Sequence, residues 1–415
     1  MPDPLHLFQG YGVEIEYMIV DADTLDVRPY CDRVLMAVAG EITNEVQRGP
    51  IAWSNELASH LLEVKTNGPA PTLAPLAGAF ATTITDIERI LAGEDARLLP
   101  GAMHPWMDPF REVVLWPHDY SPIYEAYDRI FDCRGHGWAN LQSVHLNLPF
   151  GNDDELYRLH AAIRHLLPLL PALAASSPIA DGRDSGHADY RMEVYRHNSA
   201  RIPEVTGQVV PESIHSEAEY QARILEPMYK AIAPHDPEGI LRDEWLNSRG
   251  AIARFDRSAI EIRVLDTQEC PRADLAILGL IVAVLQALIE ERFAHLADLD
   301  TLETGRLAAL LERCVHEGDE AKIDDRHWLK TFGLRGSYWA RDLWGHLLER
   351  CKDRFESTGV DGGPLELILD QGTLARRLRR ALALPSANPP PREALAAVYL
   401  RLADCLRSGV LFRAD

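Results

Sequence analysis

Ser258-Ala-Ile-Glu-Ile-Arg-Val-Leu-Asp266 reads as a β-strand. Ile260, Ile262 and Val264 alternate with Glu261, Arg263 and Leu265, and side chains two apart on a strand share a face. Glu261 and Arg263 therefore stand about 7 Å apart on one face, with aliphatic residues on the other. Alone, a carboxylate beside a guanidinium is a common surface pair of small energetic value. Three further strands repeat the pattern. In Gly12-Val-Glu-Ile-Glu-Tyr-Met-Ile-Val-Asp21, Val13, Ile15 and Tyr17 oppose Glu14 and Glu16. Like charges on neighbouring same-face positions repel, which calls for a cation. Leu62 and Val64 alternate with Glu63 and Lys65, and Asn67-Gly-Pro69 closes that strand as a turn. In Leu141-Gln-Ser-Val-His-Leu-Asn-Leu148, Val144, Leu146 and Leu148 oppose Ser143, His145 and Asn147.

If these strands form one antiparallel sheet with their polar faces together, Glu14, Glu16, Glu63, Glu261 and His145 share one site. Four carboxylates and an imidazole are too much negative charge to leave bare. Hard oxygen ligands suit Mg²⁺, and a single His is well tolerated by Mn²⁺. No Cys-rich, three-His or HExxH pattern points to zinc. Carboxylates holding divalent ions offer a landing place for a triphosphate. No Walker A, GxGxxG or kinase motif set is present, so ATP would bind through metal on a sheet.

Between the strands, helices are expected at about 74–92, 122–132, 153–175 and 216–232. Trp245–Phe255 should lead through Asp256 and Arg257 into the 258–266 strand as a hairpin. After Pro271 the pattern is helical, near 272–296, 302–317, 340–357, 372–384 and 392–407. His104, in a loop or short strand at 100–106, reads as structural. The aromatic-rich stretch 107–140 suits either a pocket wall or ordinary packing. Arg183, Arg191, Arg196 and Arg201 form either an anion-binding flap or solvated loop residues.

The chain has 415 residues, 47% of them apolar and 25% charged, as expected of a soluble globular protein. A net charge of −21 argues against nucleic acid as a partner. Six scattered cysteines without a CxxC motif suit reduced thiols in the cytoplasm. MPDPLHLFQG lacks the features of a signal peptide, and the longest apolar run, 276–289, is short for a membrane span and contains Gln286. No internal repeat or linker appears. The expectation is one catalytic α+β domain over 1–415, with a sheet-forming part at about 8–270 and a helical part at about 271–415.

The ordered set GYGVEIEY (10–17), LLEVKTNGP (61–69), SVHLNL (143–148), SSP (176–178) and IEIRVLDTQ (260–268) resembles the motifs of the second glutamate–cysteine ligase family, the carboxylate–amine ligases. The resemblance implies a glutamine synthetase-like fold, a curved antiparallel sheet with helices outside. It implies ATP and Mg²⁺ as cofactors, and phosphorylation of a carboxylate, commonly the γ-carboxylate of glutamate, followed by attack of an amine such as cysteine. It places metal ligands on Glu14, Glu16, Glu63, His145 and Glu261, and an anion-stabilising role on Arg263. It also places a phosphate or acyl-phosphate contact on Arg191. In WLNSRGAIARF (245–255), Asn247 and Arg249 carry over as substrate-binding residues. The partners implied are small molecules, with no membrane, and the fold is compatible with a homo-oligomer. A metal-dependent amide hydrolase using the same carboxylates, a kinase stopping at the phosphorylated acid, and a non-catalytic relative are the competing readings. ATP dependence separates the first from a ligase.

Overall fold

A computed structural model describes residues 4–414; the first three residues of the N-terminal stretch read above lie outside it. Its centre is an open antiparallel sheet of eight strands. They are β1 (Gly12–Asp21), β2 (Glu45–Arg48), β3 (Ile51–Asn55), β4 (Leu61–Thr66), β5 (Ala96–Leu99), β6 (Ser143–Pro149), β7 (Ala251–Arg254) and β8 (Ala259–Asp266). The spatial order is β2-β3-β4-β1-β6-β8-β7, with β5 pairing the second half of β1. The mixed helix and antiparallel-sheet fold expected from the strand pattern is present.

Alternation sorts the sheet into two faces. Val13, Ile15, Tyr17, Leu62, Val64, Leu146, Leu148, Ile260 and Ile262 are all buried in one core cluster. The helices Leu76–Leu91, Asp153–Leu166 and Pro271–Ile289 contribute to the same core. The last is apolar all round because it is buried all round, which explains why it is long and apolar enough to cross a membrane while 89% of its apolar window lies inside the protein. A second cluster joins Met18, Leu61 and Leu99 to the C-terminal helices Leu374–Ala381 and Arg392–Ser408. The Arg377 guanidinium donates to Glu269, just beyond β8, at 2.6 Å, with both side chains fully buried.

Several elements depart from the periodicity. The helix expected over 153–175 breaks at Pro168 and Pro171, each lacking the N–H a continuous helix needs. The 340–357 helix is two pieces meeting at Cys351. Residues 245–250 turn rather than extend, so the hairpin strand is only Ala251–Arg254. In β8 the register on β6 slips between Ile262 and Leu265. Arg263 and Val264 together face the single residue His145, a β-bulge. The bulge returns Leu265 to the apolar side, opposite Val144, and brings Asp266 onto the polar side, opposite Ser143. Strict alternation had put Leu265 with Glu261. All six cysteines are free thiols, five of them buried.

Candidate active site

Strand register assembles the polar face. Glu14 pairs across β1–β6 with His145, Glu16 pairs across β1–β4 with Glu63, and Glu261 pairs across β8–β6 with Asn147. Gly12 stands opposite Asn147, where a Cβ would come within 2.8 Å of the Asn147 Cβ. Only glycine lets that asparagine sit close enough to donate to Glu14 at 3.1 Å.

Glu14, His145 and Glu261 each offer a ligand atom within 4.8 Å of the others. His145 Nδ1 lies 2.9 Å from Glu14 Oε2 and 3.5 Å from Glu261 Oε1. Burial opposes charge on all three groups. Mutual attraction outweighs it: Glu14 and Glu261 are held below the usual carboxylate range, and His145 is raised. Arg263 Nε stands 3.0 Å from Glu261 Oε1 and adds to the pull on that carboxylate.

Glu16 and Glu63 behave differently. Glu16 Oε2 accepts from the Ser143 N–H at 2.7 Å and from its hydroxyl at 3.0 Å. Burial still drives the Glu16 carboxyl upward, and Glu63 adds to it. Glu63 Oε2 accepts from Ser54 Oγ at 2.6 Å and from Lys65 Nζ at 2.8 Å. Beside them is Glu56, just beyond β3, pushed well above the carboxylate range by burial and by the charges of Glu63 and Glu16. Sequence reading missed Glu56. It lies outside any alternating strand, and the one available signal was its place seven residues before Glu63, at the far end of the β3–β4 connection.

This donor set fits hard divalent cations such as Mg²⁺ or Mn²⁺. It is carboxylate-rich with one imidazole and largely buried, and Glu16 and Glu56 form no ion pair among the described residues. Among the described residues the ligand atoms of Glu14, His145 and Glu261 converge; Glu16, Glu56 and Glu63 influence one another by charge but do not converge as closely.

Above the carboxylates is a cavity of about 200 Å³ whose lining includes Glu16, Glu56, His145, Arg191 and Arg263. Tyr124, Tyr127, Trp138, Tyr195 and Trp245 wall it. Part of the 107–140 stretch is therefore wall rather than packing alone. Tyr127 contacts Trp138 and Trp245, with ring centroids 5.3 and 5.9 Å away.

The arginines expected to bind substrate are differently placed. Arg191 reaches the cavity, but its Nε donates to buried Asp266 at 2.5 Å, and its terminal nitrogens lie 3.4 Å from the Arg263 carbonyl. Ser176 and Ser177, the pair in the SSP motif, both donate to the same aspartate, so that motif holds the Arg191 anchor. Asn247 and Arg249 do not line the cavity. Arg249 makes a two-pronged pair with Glu212 at 2.6 and 2.8 Å, and Asn247 donates to the Tyr220 hydroxyl. Their link to the site is indirect, through the Asn247 carbonyl, which accepts from Arg263 at 3.3 Å. The four-arginine segment is not a flap. Arg196 pairs with Glu193 and Glu312, Arg201 donates to the Ile130 carbonyl, and Arg183 is exposed 3.9 Å from Asp181. His104 is structural, as expected: it is buried, and one ring nitrogen meets the Leu25 carbonyl at 2.7 Å.

Residues 11–400 match the family model described as glutamate-cysteine ligase family 2. An uncharacterized protein of Archaeoglobus fulgidus is 37% identical over 334 residues, covering 78% of this chain and 88% of the relative. A putative glutamate–cysteine ligase 2 of Salinispora tropica is 27% identical over 382 residues, 89% of each chain. The solved structure of the Francisella tularensis glutamate–cysteine ligase in complex with AMP superposes with a TM-score of 0.60 at 12% identity, over all of this chain and 91% of that one. The bifunctional glutathione synthetase of Pasteurella multocida gives a TM-score of 0.60 at 15% identity; the match covers 97% of this chain and 53% of that longer protein. At these identities the structural likeness shows a common fold.

Proposed function

This chain belongs to glutamate–cysteine ligase family 2 and is an ATP-dependent carboxylate–amine ligase; we propose that it activates the γ-carboxylate of glutamate as an acyl phosphate and passes it to an amine. The observation that carries this reading is the polar face of β1, β4, β6 and β8, where register brings Glu14, Glu16, Glu63 and Glu261 together with His145, beside a cavity lined by Glu16, Glu56, His145 and Arg263.

A carboxylate is a poor electrophile, and phosphorylation converts its oxygen into a leaving group. We assign one divalent ion to Glu14, His145 and Glu261 and a second to Glu16, Glu56 and Glu63. Bound there, Mg²⁺ or Mn²⁺ supplies charge neutralisation for the triphosphate. Arg263, fixed by Glu261 and by the Asn247 carbonyl, holds positive charge where negative charge develops during phosphoryl and acyl transfer. Arg191, anchored on Asp266, lines the same space. The aromatic wall keeps water from the activated acyl group, so that an amine rather than water captures it. No enzyme nucleophile is needed. We take the chain to act as one catalytic domain in a reducing cytoplasm, a reading its free thiols support.

The test is ADP release with ATP, Mg²⁺ and L-glutamate against a panel of amines that includes L-cysteine. The reading expects ADP in step with an amide of matching mass. Amide hydrolysis without ATP would replace it with the hydrolase reading, to which the comparisons give no support. ADP release without any amine would indicate a kinase.

A further inference from the structure

Arg191 reaches the cavity as part of a buried group of three side chains, Asp189, Arg191 and Asp266, each at most 1% exposed. Two carboxyls and one guanidinium cannot pair one for one. The Arg191 Nε donates to Asp266 at 2.5 Å, and its terminal nitrogens lie 3.4 Å from the Arg263 carbonyl. Asp266 also accepts from the Ser176 N–H at 2.7 Å and from the Ser177 hydroxyl at 2.8 Å. It therefore has three donors, one of them a cation.

Asp189 has one. It caps the helix Tyr190–Tyr195, and its Oδ1 accepts from the Met192 N–H at 2.9 Å. Its Oδ2 is buried with no donor aimed at it. Its backbone bridges Ser177 and donates to the Val315 carbonyl at 3.0 Å, which fixes the side chain beside the Ser176–Ser177 pair. The charged groups acting on it are Asp266, within hydrogen-bonding reach, and Arg191. Burial, and then the Asp266 charge, push the Asp189 carboxyl well above the usual carboxylate range. Asp108, Asp243 and Asp325, which cap other helices, are exposed or half-buried and keep access to water. A second negative charge at Asp189 would repel Asp266 and compete with it for Arg191.

We propose that Asp189 is a positioning residue for the transfer reaction: its Oδ2 carries a proton, donates it to the Asp266 carboxylate, and so leaves Asp266 and Arg191 as an exclusive pair. The role in transfer rests on the ligase reading above; the proton on Asp189 does not. One side chain then does two jobs. Oδ1 caps the helix that carries Arg191, and Oδ2 steadies the aspartate that aims it. The proton stays on Asp189 through turnover, so Asp189 is neither acid nor base in the reaction. The guanidinium is held at one place on the cavity wall instead of being shared between two carboxylates, and misplacement of such a group by about 1 Å can cost on the order of 10²-fold in rate.

Two variants of the whole protein test this. Infrared difference spectroscopy of the wild type against Asp189→Asn, without substrates, should show the carbonyl stretch of a hydrogen-bonded carboxylic acid in the wild type alone, shifting in deuterium oxide. That readout does not depend on turnover. In the assay with ATP, Mg²⁺, glutamate and amine, Asp189→Ser keeps a cap for the helix but is too short to reach Asp266. Its kcat should fall by roughly 10²-fold, with KM for ATP and calorimetric Mn²⁺ affinity in place. Asp189→Asn keeps the acceptor for Met192 and supplies an N–H donor to Asp266, so it should rescue most of the rate lost in Asp189→Ser. Absence of the acid band from the wild type would overturn the proposal. Equal kcat in Asp189→Ser and the wild type would also overturn it, by reducing Asp189 to a helix cap. The acid band in a protein that releases no ADP with any amine would uphold the proton on Asp189 and overturn its role in transfer together with the ligase reading.

Discussion

Two regions of this protein handle buried charge in opposite ways. At the C-terminal end of β8, Arg377 and Glu269 are both fully buried and satisfied: the guanidinium donates to Glu269 and to the Phe412 carbonyl. Arg249–Glu212 and Arg191–Asp266 follow the same one-for-one rule. Across the sheet, Glu14, Glu16, Glu56, Glu63 and Glu261 crowd together with His145, and burial drives Glu16 and Glu56 upward. Folding alone tolerates the first arrangement, in which each buried charge has a partner, and penalises the second. Glu14, Glu63 and Glu261 have cationic neighbours, but Glu16 and Glu56 have no ion pair among the described residues; in a chain that pairs Glu269, Glu212 and Asp266 with arginines, that marks where a cation from outside belongs.

The largest test of that contrast is Glu63→Gln. It should cut ADP formation by roughly 10³-fold or more, because it removes charge from the metal group, with circular dichroism and Tm retained. Arg377→Ala should do the reverse. Leaving Glu269 buried and unpaired costs about 3–5 kcal/mol, visible in urea unfolding, while turnover per folded molecule stays normal. Arg377→Met combined with Glu269→Leu should recover most of that stability.

Arg263→Lys separates charge from shape. The cation survives, but the planar fork held between Glu261 and the Asn247 carbonyl is lost, so a fall in kcat of roughly 10²-fold is expected. Wild-type kinetics would reduce Arg263 to a structural partner of Glu261.

A smaller effect comes from buried histidines away from the site. Burial pushes His60 and His104 down to about 4, and His160 and His165 down to about 3. The unfolded chain protonates these imidazoles near 6.5. Their contribution to stability is therefore complete above pH 6.5 and is lost as pH falls toward 4 and below. Tm measured from pH 7.5 to pH 5 should decline, by an amount set by on the order of 1 kcal/mol or more per histidine. A flat profile would contradict their burial as neutral rings.

Much of this was legible in the chain. Strands with period-two alternation expose their polar face by inspection, so Glu14, Glu16, Glu63, His145 and Glu261 could be placed on common faces before any fold was known. β3 was invisible for the opposite reason: all of Ile51–Asn55 is buried, so it shows no alternation. Glu56, which follows it, was lost with it. The bulge at Arg263–Val264 is a two-against-one pairing with β6, and nothing in β8 itself announces it. The arginines show the sharpest limit. Their residue type signals anion binding, but Asp266 lies 75 positions from Arg191 and Glu212 lies 37 from Arg249, so only the fold reveals that the anions are the protein's own.

The central claim is that the crowded carboxylates are built for divalent cations. Thermal melts of the wild type and of Glu16→Gln, each with chelator and with Mg²⁺ or Mn²⁺, test it most directly, with calorimetric Mn²⁺ titration alongside. Glu16→Gln keeps an oxygen for the two Ser143 donors and removes one unit of crowded charge. The predicted result is a change of sign. Without metal the variant melts at or above the wild type; with metal the wild type gains stability that the variant does not, and Mn²⁺ affinity falls at least tenfold. Equal melting behaviour with and without metal in both proteins, and no Mn²⁺ uptake by the wild type, would contradict the claim.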